Sequence, residues 1–167
     1  CIRDRSKTIQ LATMAGALHQ RYAAVHGLLF SRSSYRLLLN TLAGRQAGIY
    51  RKAAADLSRL DTDLNGLLGE LSTYGEDDPP LLGGALLRET LIDYSVALRE
   101  SVGTLERICR RLAEGERGYR AIQDGKTSEF NLDKMQYDDR RSHLERIGVK
   151  LTKLFSNYQR PAGWGER

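Results

Sequence analysis

Apolar residues recur at intervals of three and four along most of the chain. Leu87, Leu91, Tyr94, Leu98, Val102, Leu105, Ile108 and Leu112 follow this rule, which turns one stripe of an α-helix toward a partner. The pattern resumes at Tyr119 and Ile122, then at Leu144, Ile147, Leu151 and Leu154. No proline falls between Pro80 and Pro161. An unbroken helix of this length would approach ~100 Å. Helices that long need coiled-coil or bundle packing.

The first half repeats the pattern. Ile9, Met14, Leu18, Tyr22, Val25 and Leu29 keep helical spacing from about Lys7 to Phe30. Ser31, Ser33 and Ser34 offer an interruption or re-capping before Leu38, Leu42, Ile49, Ala53, Leu57, Leu60, Leu64, Leu67 and Leu71 carry the stripe on to Tyr74. Gly44, Gly48, Gly66 and Gly69 would each cost about 1 kcal/mol in a helix interior, so they read as close-packing points or bends. The spacing predicts one long, kinked first helix over about 7–74.

Gly75-Glu76-Asp77-Asp78-Pro79-Pro80 is the clearest break. Glycine after the last periodic residue stops a helix, and two prolines cannot continue one. Gly83 and Gly84 follow, so a turn over 75–84 leads into a second helix over about 85–158. Its segment 123–128, with Gly125, is a bend or a loop that splits the helix; we take the bend. Residues 1–6 have no pattern and 159–167 read as a frayed tail. A short connection folds its two helices back antiparallel. The expected fold is therefore all-α, a long antiparallel helical hairpin packed as a coiled-coil bundle.

Three prolines and 28% charged residues agree with that class. No apolar run approaches the ~18 residues that span a bilayer, and no secretory apolar region is present. Cys1 and Cys109 form no metal or disulfide framework, which suggests a cytoplasmic setting. A start at Cys1 instead of methionine points to a processed or incomplete product. His19, His26 and His143 lack ligand partners at metal spacing and read as exposed or boundary residues. Phosphate-cradling loops and nucleophile elbows are missing. We expect no catalytic residues, no metal, no cofactor and no enzyme. The twelve aromatic residues do not interleave with basic ones, so a nucleic-acid partner is not expected.

Charge is uneven. Residues 1–55 hold nine Lys/Arg and one acid, residues 56–106 three and eleven, and residues 107–167 fourteen and nine. Arg107, Arg110, Arg117 and Arg120 lie largely opposite the apolar stripe of 107–122, as do Arg146, Lys150 and Lys153 in 144–154. One reading is a solvated face with part-compensating acids. The other is an anionic membrane surface, where each cation contributes roughly 1 kcal/mol.

Asn131-Leu132-Asp133-Lys134-Met135-Gln136-Tyr137-Asp138-Asp139-Arg140-Arg141-Ser142-His143-Leu144-Glu145 resembles the late second-helix segment of BAR domains. Gly84-Ala85-Leu86-Leu87-Arg88-Glu89-Thr90-Leu91 is similar to the opening of that helix, and Leu98 to Leu112 to its middle. The layout is closest to the Chibby-interacting BAR-domain proteins, with arfaptin-like and sorting-nexin-like BAR domains also similar. The resemblance covers roughly 35–157 and leaves the third BAR helix missing, as in a fragment. It implies a crescent-shaped homodimer that binds anionic phospholipid and senses or stabilises curvature. It further implies a cytoplasmic, peripheral-membrane location at the ciliary base or on endosomal vesicles. Carried onto this chain, the lipid-contacting residues are Arg107, Arg110, Arg111, Arg117, Arg120, Lys134, Arg140, Arg141, Arg146, Lys150 and Lys153. The dimer or packing stripe is Leu87, Leu91, Tyr94, Leu98, Leu105, Ile108 and Leu112. The alternative is a soluble coiled-coil adaptor or assembly subunit that binds a protein partner through its apolar stripes. A third reading, a secreted or lipid-anchored bacterial bundle, rests on Cys1 alone.

Overall fold

The computed structural model describes residues 2–30, 47–73, 84–114 and 129–159, with side-chain surroundings from Lys7 to Tyr158 within those ranges. Four helices account for almost all of them: α1 (Ile2–Phe30), α2 (Ala47–Thr73), α3 (Gly84–Ala113) and α4 (Glu129–Gln159). The protein is all-α, a helical bundle.

Each rod expected from the sequence is two helices lying side by side. Arg21 and Asp63 are 42 residues apart in sequence yet form an ion pair at 2.5 Å. A single helix over 7–74 would separate them by ~63 Å. Arg140 Nη1 likewise donates to the Glu100 carbonyl at 3.1 Å across 40 residues, where an unbroken helix over 85–158 would set them ~60 Å apart. The re-capping expected at Ser31, Ser33 and Ser34, residues 75–83 of the expected turn and the bend near 123–128 lie outside the described residues, and Gly84, expected in the turn, opens α3.

Pairings along the helices fix their directions. Asp61 meets Arg99 and Leu71 meets Arg88, so α2 and α3 are antiparallel. Asp133 meets Arg107 and Gly148 meets Tyr94, so α3 and α4 are antiparallel. Tyr137 meets His26, and residues around Gly148 face those around Gly16, so α4 also runs against α1. The result is an up-down-up-down bundle.

α3 is its centre and packs on the other three helices. That position explains its composition. Leu87, Leu91, Leu98, Val102, Leu105 and Ile108 are buried on one stripe, and Ser95, Ala97, Ser101 and Thr104 on an adjoining one. The small side chains let a third helix approach. Their hydroxyls are satisfied within the helix: Ser95 donates to the Leu91 carbonyl at 2.7 Å, Ser101 to Ala97 at 3.0 Å and Thr104 to Glu100 at 2.9 Å. α2 answers with Leu57, Leu60, Leu64, Leu67 and Leu71, all buried. Each such leucine contributes about 1.5–3 kcal/mol over an exposed one.

The stripe read as a dimer or packing surface packs inside the chain. Leu87, Leu91, Tyr94, Leu98, Leu105 and Ile108 are buried and Leu112 is half-buried against their cluster. A second copy cannot reach them without opening the bundle.

Candidate functional site

The structure sorts the candidate cations. Arg107 pairs with Asp133 at 3.4 Å and donates to Gln136 at 2.6 Å, and Arg111 pairs with the other Asp133 oxygen at 3.1 Å. Arg110 and Glu106 pair at 2.6 Å, Lys134 and Asp138 at 2.6 Å, and Arg141 and Glu145 at 3.0 Å, each across one helical turn. Arg140 bonds the Glu100 carbonyl and, at 2.7 Å, the Thr104 hydroxyl. Six cations are therefore engaged in holding or screening the fold. Arg117 and Arg120 lie outside the described residues.

Arg146, Lys150 and Lys153 differ. All three are exposed on α4, at i, i+4 and i+7, with no hydrogen bond or ion pair among the described residues. Val149, between them, is 58% exposed.

The seam between α1 and α4 is the least closely packed side of the bundle, and side chains bridge it in two parts. Towards the C-terminal end of α1 it is filled by rings. The Tyr137 hydroxyl lies 2.7 Å from His26 Nδ1 and 2.5 Å from the Tyr22 hydroxyl. Phe30 stacks on Tyr137 with centroids 5.6 Å apart, and Lys134 Nζ sits 5.0 Å from the Phe30 centroid. One turn further along, His19 Nδ1 meets the Tyr94 hydroxyl at 2.7 Å. Both imidazoles, expected at exposed or boundary positions, are half-buried and hydrogen-bonded. The sequence does carry a trace of this: His19, Tyr22, His26 and Phe30 follow a three/four/four spacing on one face of α1.

Burial sets the chemistry of these groups. It lowers the His26 pKa below its ordinary value, reinforced by the Arg141 and Lys134 charges and opposed by Asp138 and Glu145. It lowers that of His19 as well, opposed by Glu145. It pushes the Tyr94 phenol up to about 12, and raises Tyr22 and Tyr137 in the same direction. These phenols stay protonated and the imidazoles favour the neutral form.

Beyond His19 the seam opens. A groove of about 860 Å³ runs between α1 and α4, floored by Tyr94. Ala12, Gly16, Leu144, Leu151 and Phe155 give it apolar walls, and Thr13, Thr152, Ser156 and Lys153 edge it. Small residues on α1 leave room; a Cβ at Gly16 would meet nothing within 4 Å. Leu151 and Phe155 on α4 remain only half-buried as a consequence. Sequence reasoning missed the groove, whose two walls lie more than a hundred residues apart in the chain.

Among the described residues no cluster of His, Cys, Asp and Glu could hold a metal ion, and no helix is long and apolar enough to cross a membrane. No family model, no curated protein and no solved structure matches the chain.

Proposed function

We propose that this bundle is a non-enzymatic module that associates with anionic membrane surfaces through the Arg146, Lys150 and Lys153 face of α4. The observation that carries the reading is their freedom. Of the nine described candidate cations, these three alone have no intramolecular partner among the described residues, and they share one helix face. At roughly 1 kcal/mol per cation they supply about 3 kcal/mol, enough for reversible association and too little for permanent anchoring. Curvature sensing, implied by the BAR resemblance, is no part of this reading: helices of 27–31 residues are only ~40–47 Å long.

Co-sedimentation with vesicles tests it. Pelleting should rise with anionic lipid content, fall with salt, and drop steeply on combined charge reversal, Arg146→Glu, Lys150→Glu and Lys153→Glu, with helicity retained. Equal pelleting with neutral vesicles would refute the electrostatic mechanism.

The half-buried Leu151 and Phe155 in the groove support a second reading, an adaptor whose partner lays an apolar helix into it. It predicts no response to vesicles of any composition.

A further inference from the structure

We infer that the α1/α4 groove is a binding site for one aliphatic chain of an anionic amphiphile, with its acidic head against Lys153. The inference deepens the anionic-surface reading and rests on it for the class of ligand. Three cations near an anionic surface account for only about 3 kcal/mol, and stable peripheral association needs a second, apolar signal. The groove lies where that signal is required. Lys153 is both a lining residue of the groove and a member of the free cationic face, so apolar walls and unpaired positive charge meet at one edge.

The groove's size suits one small amphiphile. Pockets for small ligands span about 300–1,000 Å³, and the groove holds about 860 Å³. The groove wall on α4 extends from Leu144 to Ser156, ~18 Å along the helix, which suits a narrow extended chain.

Charge gives the polarity. Lys153 and Ser156 lie at one end of that wall, offering donors to a carboxylate or phosphate head. Towards the other end Glu145 is engaged by Arg141, and Leu144 is buried with the Tyr94 ring nearby. The head therefore lies toward Lys153 and the tail toward Leu144.

Isothermal titration of the whole chain with monomeric tetradecanoate tests the assignment. Saturable binding of one molecule is expected, weakened about tenfold or more when the probe is the uncharged tetradecanol or the protein is Lys153→Ala. Gly16→Leu, whose side chain would project into open space in the groove, should abolish binding while circular dichroism stays unchanged. Absence of saturable binding, or equal affinity for a cationic chain of the same length, would overturn the site. So would saturable binding of an acidic amphipathic helical peptide in place of tetradecanoate. Arg146→Glu with Lys150→Glu keeps the two readings apart. Lost vesicle pelleting with intact tetradecanoate binding is expected; if wild type pellets on anionic vesicles and ignores tetradecanoate, this inference alone fails. Retained tetradecanoate binding without any vesicle response would instead refute the surface reading.

Discussion

The hydroxyls of Tyr22 and Tyr137 lie 2.5 Å apart, joining α1 to α4 across 115 residues of sequence. His26 Nδ1 meets the same Tyr137 oxygen at 2.7 Å, so three side chains from two helices form one hydrogen-bonded chain in the seam. Tyr137 is fully buried at its centre. Replacing it by phenylalanine keeps the ring and strands two polar partners, which costs about 1–3 kcal/mol. Tyr137→Ala should cost more, about 3–5 kcal/mol, because a cavity is added. Urea denaturation of both variants checks the order; equal stability of Tyr137→Phe and wild type would show that the chain holds nothing together.

Acid should loosen the same seam. Burial holds the His19 and His26 pKa values below the ordinary 6.5, so the folded state binds protons less readily than the unfolded chain. Stability is then fully present above about 6.5 and declines as the pH falls through the lower folded values. Around His26 stand Arg141, Lys134, Asp138, Glu145 and the Tyr137 and Tyr22 phenols; around His19 stand Glu145, Tyr94 and Tyr22. Denaturation midpoints measured on either side of pH 6.5, together with NMR titration of the two imidazoles, should show the decline. It should shrink in His26→Gln. A midpoint that rises on acidification through this window would reverse the sign.

Asp133 clamps the start of α4 to the end of α3. Its side chain is 13% exposed and lies within 3.4 Å of Arg107 and 3.1 Å of Arg111. Removing its charge in Asp133→Asn should cost about 1.5–3 kcal/mol, the range for hydrogen bonds to charged groups. By contrast Arg141→Gln, which breaks only the exposed pair with Glu145, should cost under about 1 kcal/mol. Thermal denaturation of the two variants side by side reads the difference.

Cys109 should be chemically silent in the native protein. It is fully buried, and desolvation with the nearby Glu106 charge pushes its thiol up to about 12. Ellman's reagent should modify it only on unfolding, at a rate that rises with denaturant. Fast native labelling at position 109 would mean that the core around it opens far more readily than its burial implies.

Helix content was legible in the sequence because periodicity reports which residues share a face. Reversal of direction was legible only at Pro79-Pro80, where α2 and α3 are antiparallel as expected. A stripe such as Leu57 to Leu71 looks the same whether the preceding helix continues into it or folds back upon it. Prolines mark the break at Pro79 and Pro80, and none marks 31–46 or 115–128. The cationic site was legible only as a list. Local pairs such as Arg110 with Glu106 could be read from spacing, whereas Arg107 with Asp133 and Arg140 with Glu100 exist only because α4 returns along α3. What separates Arg146, Lys150 and Lys153 from the rest is therefore a property of the fold.

An environment-sensitive dye at position 149 tests the central claim most directly. Val149 is exposed between the three free cations, and Thr62 is exposed on α2, away from the groove. Val149→Cys and Thr62→Cys, each in a Cys1→Ser background, would be labelled and titrated with anionic vesicles. A blue shift at 149 that salt reverses is expected, and none at 62. Equal shifts at both positions, or a shift at 62 alone, would contradict that claim.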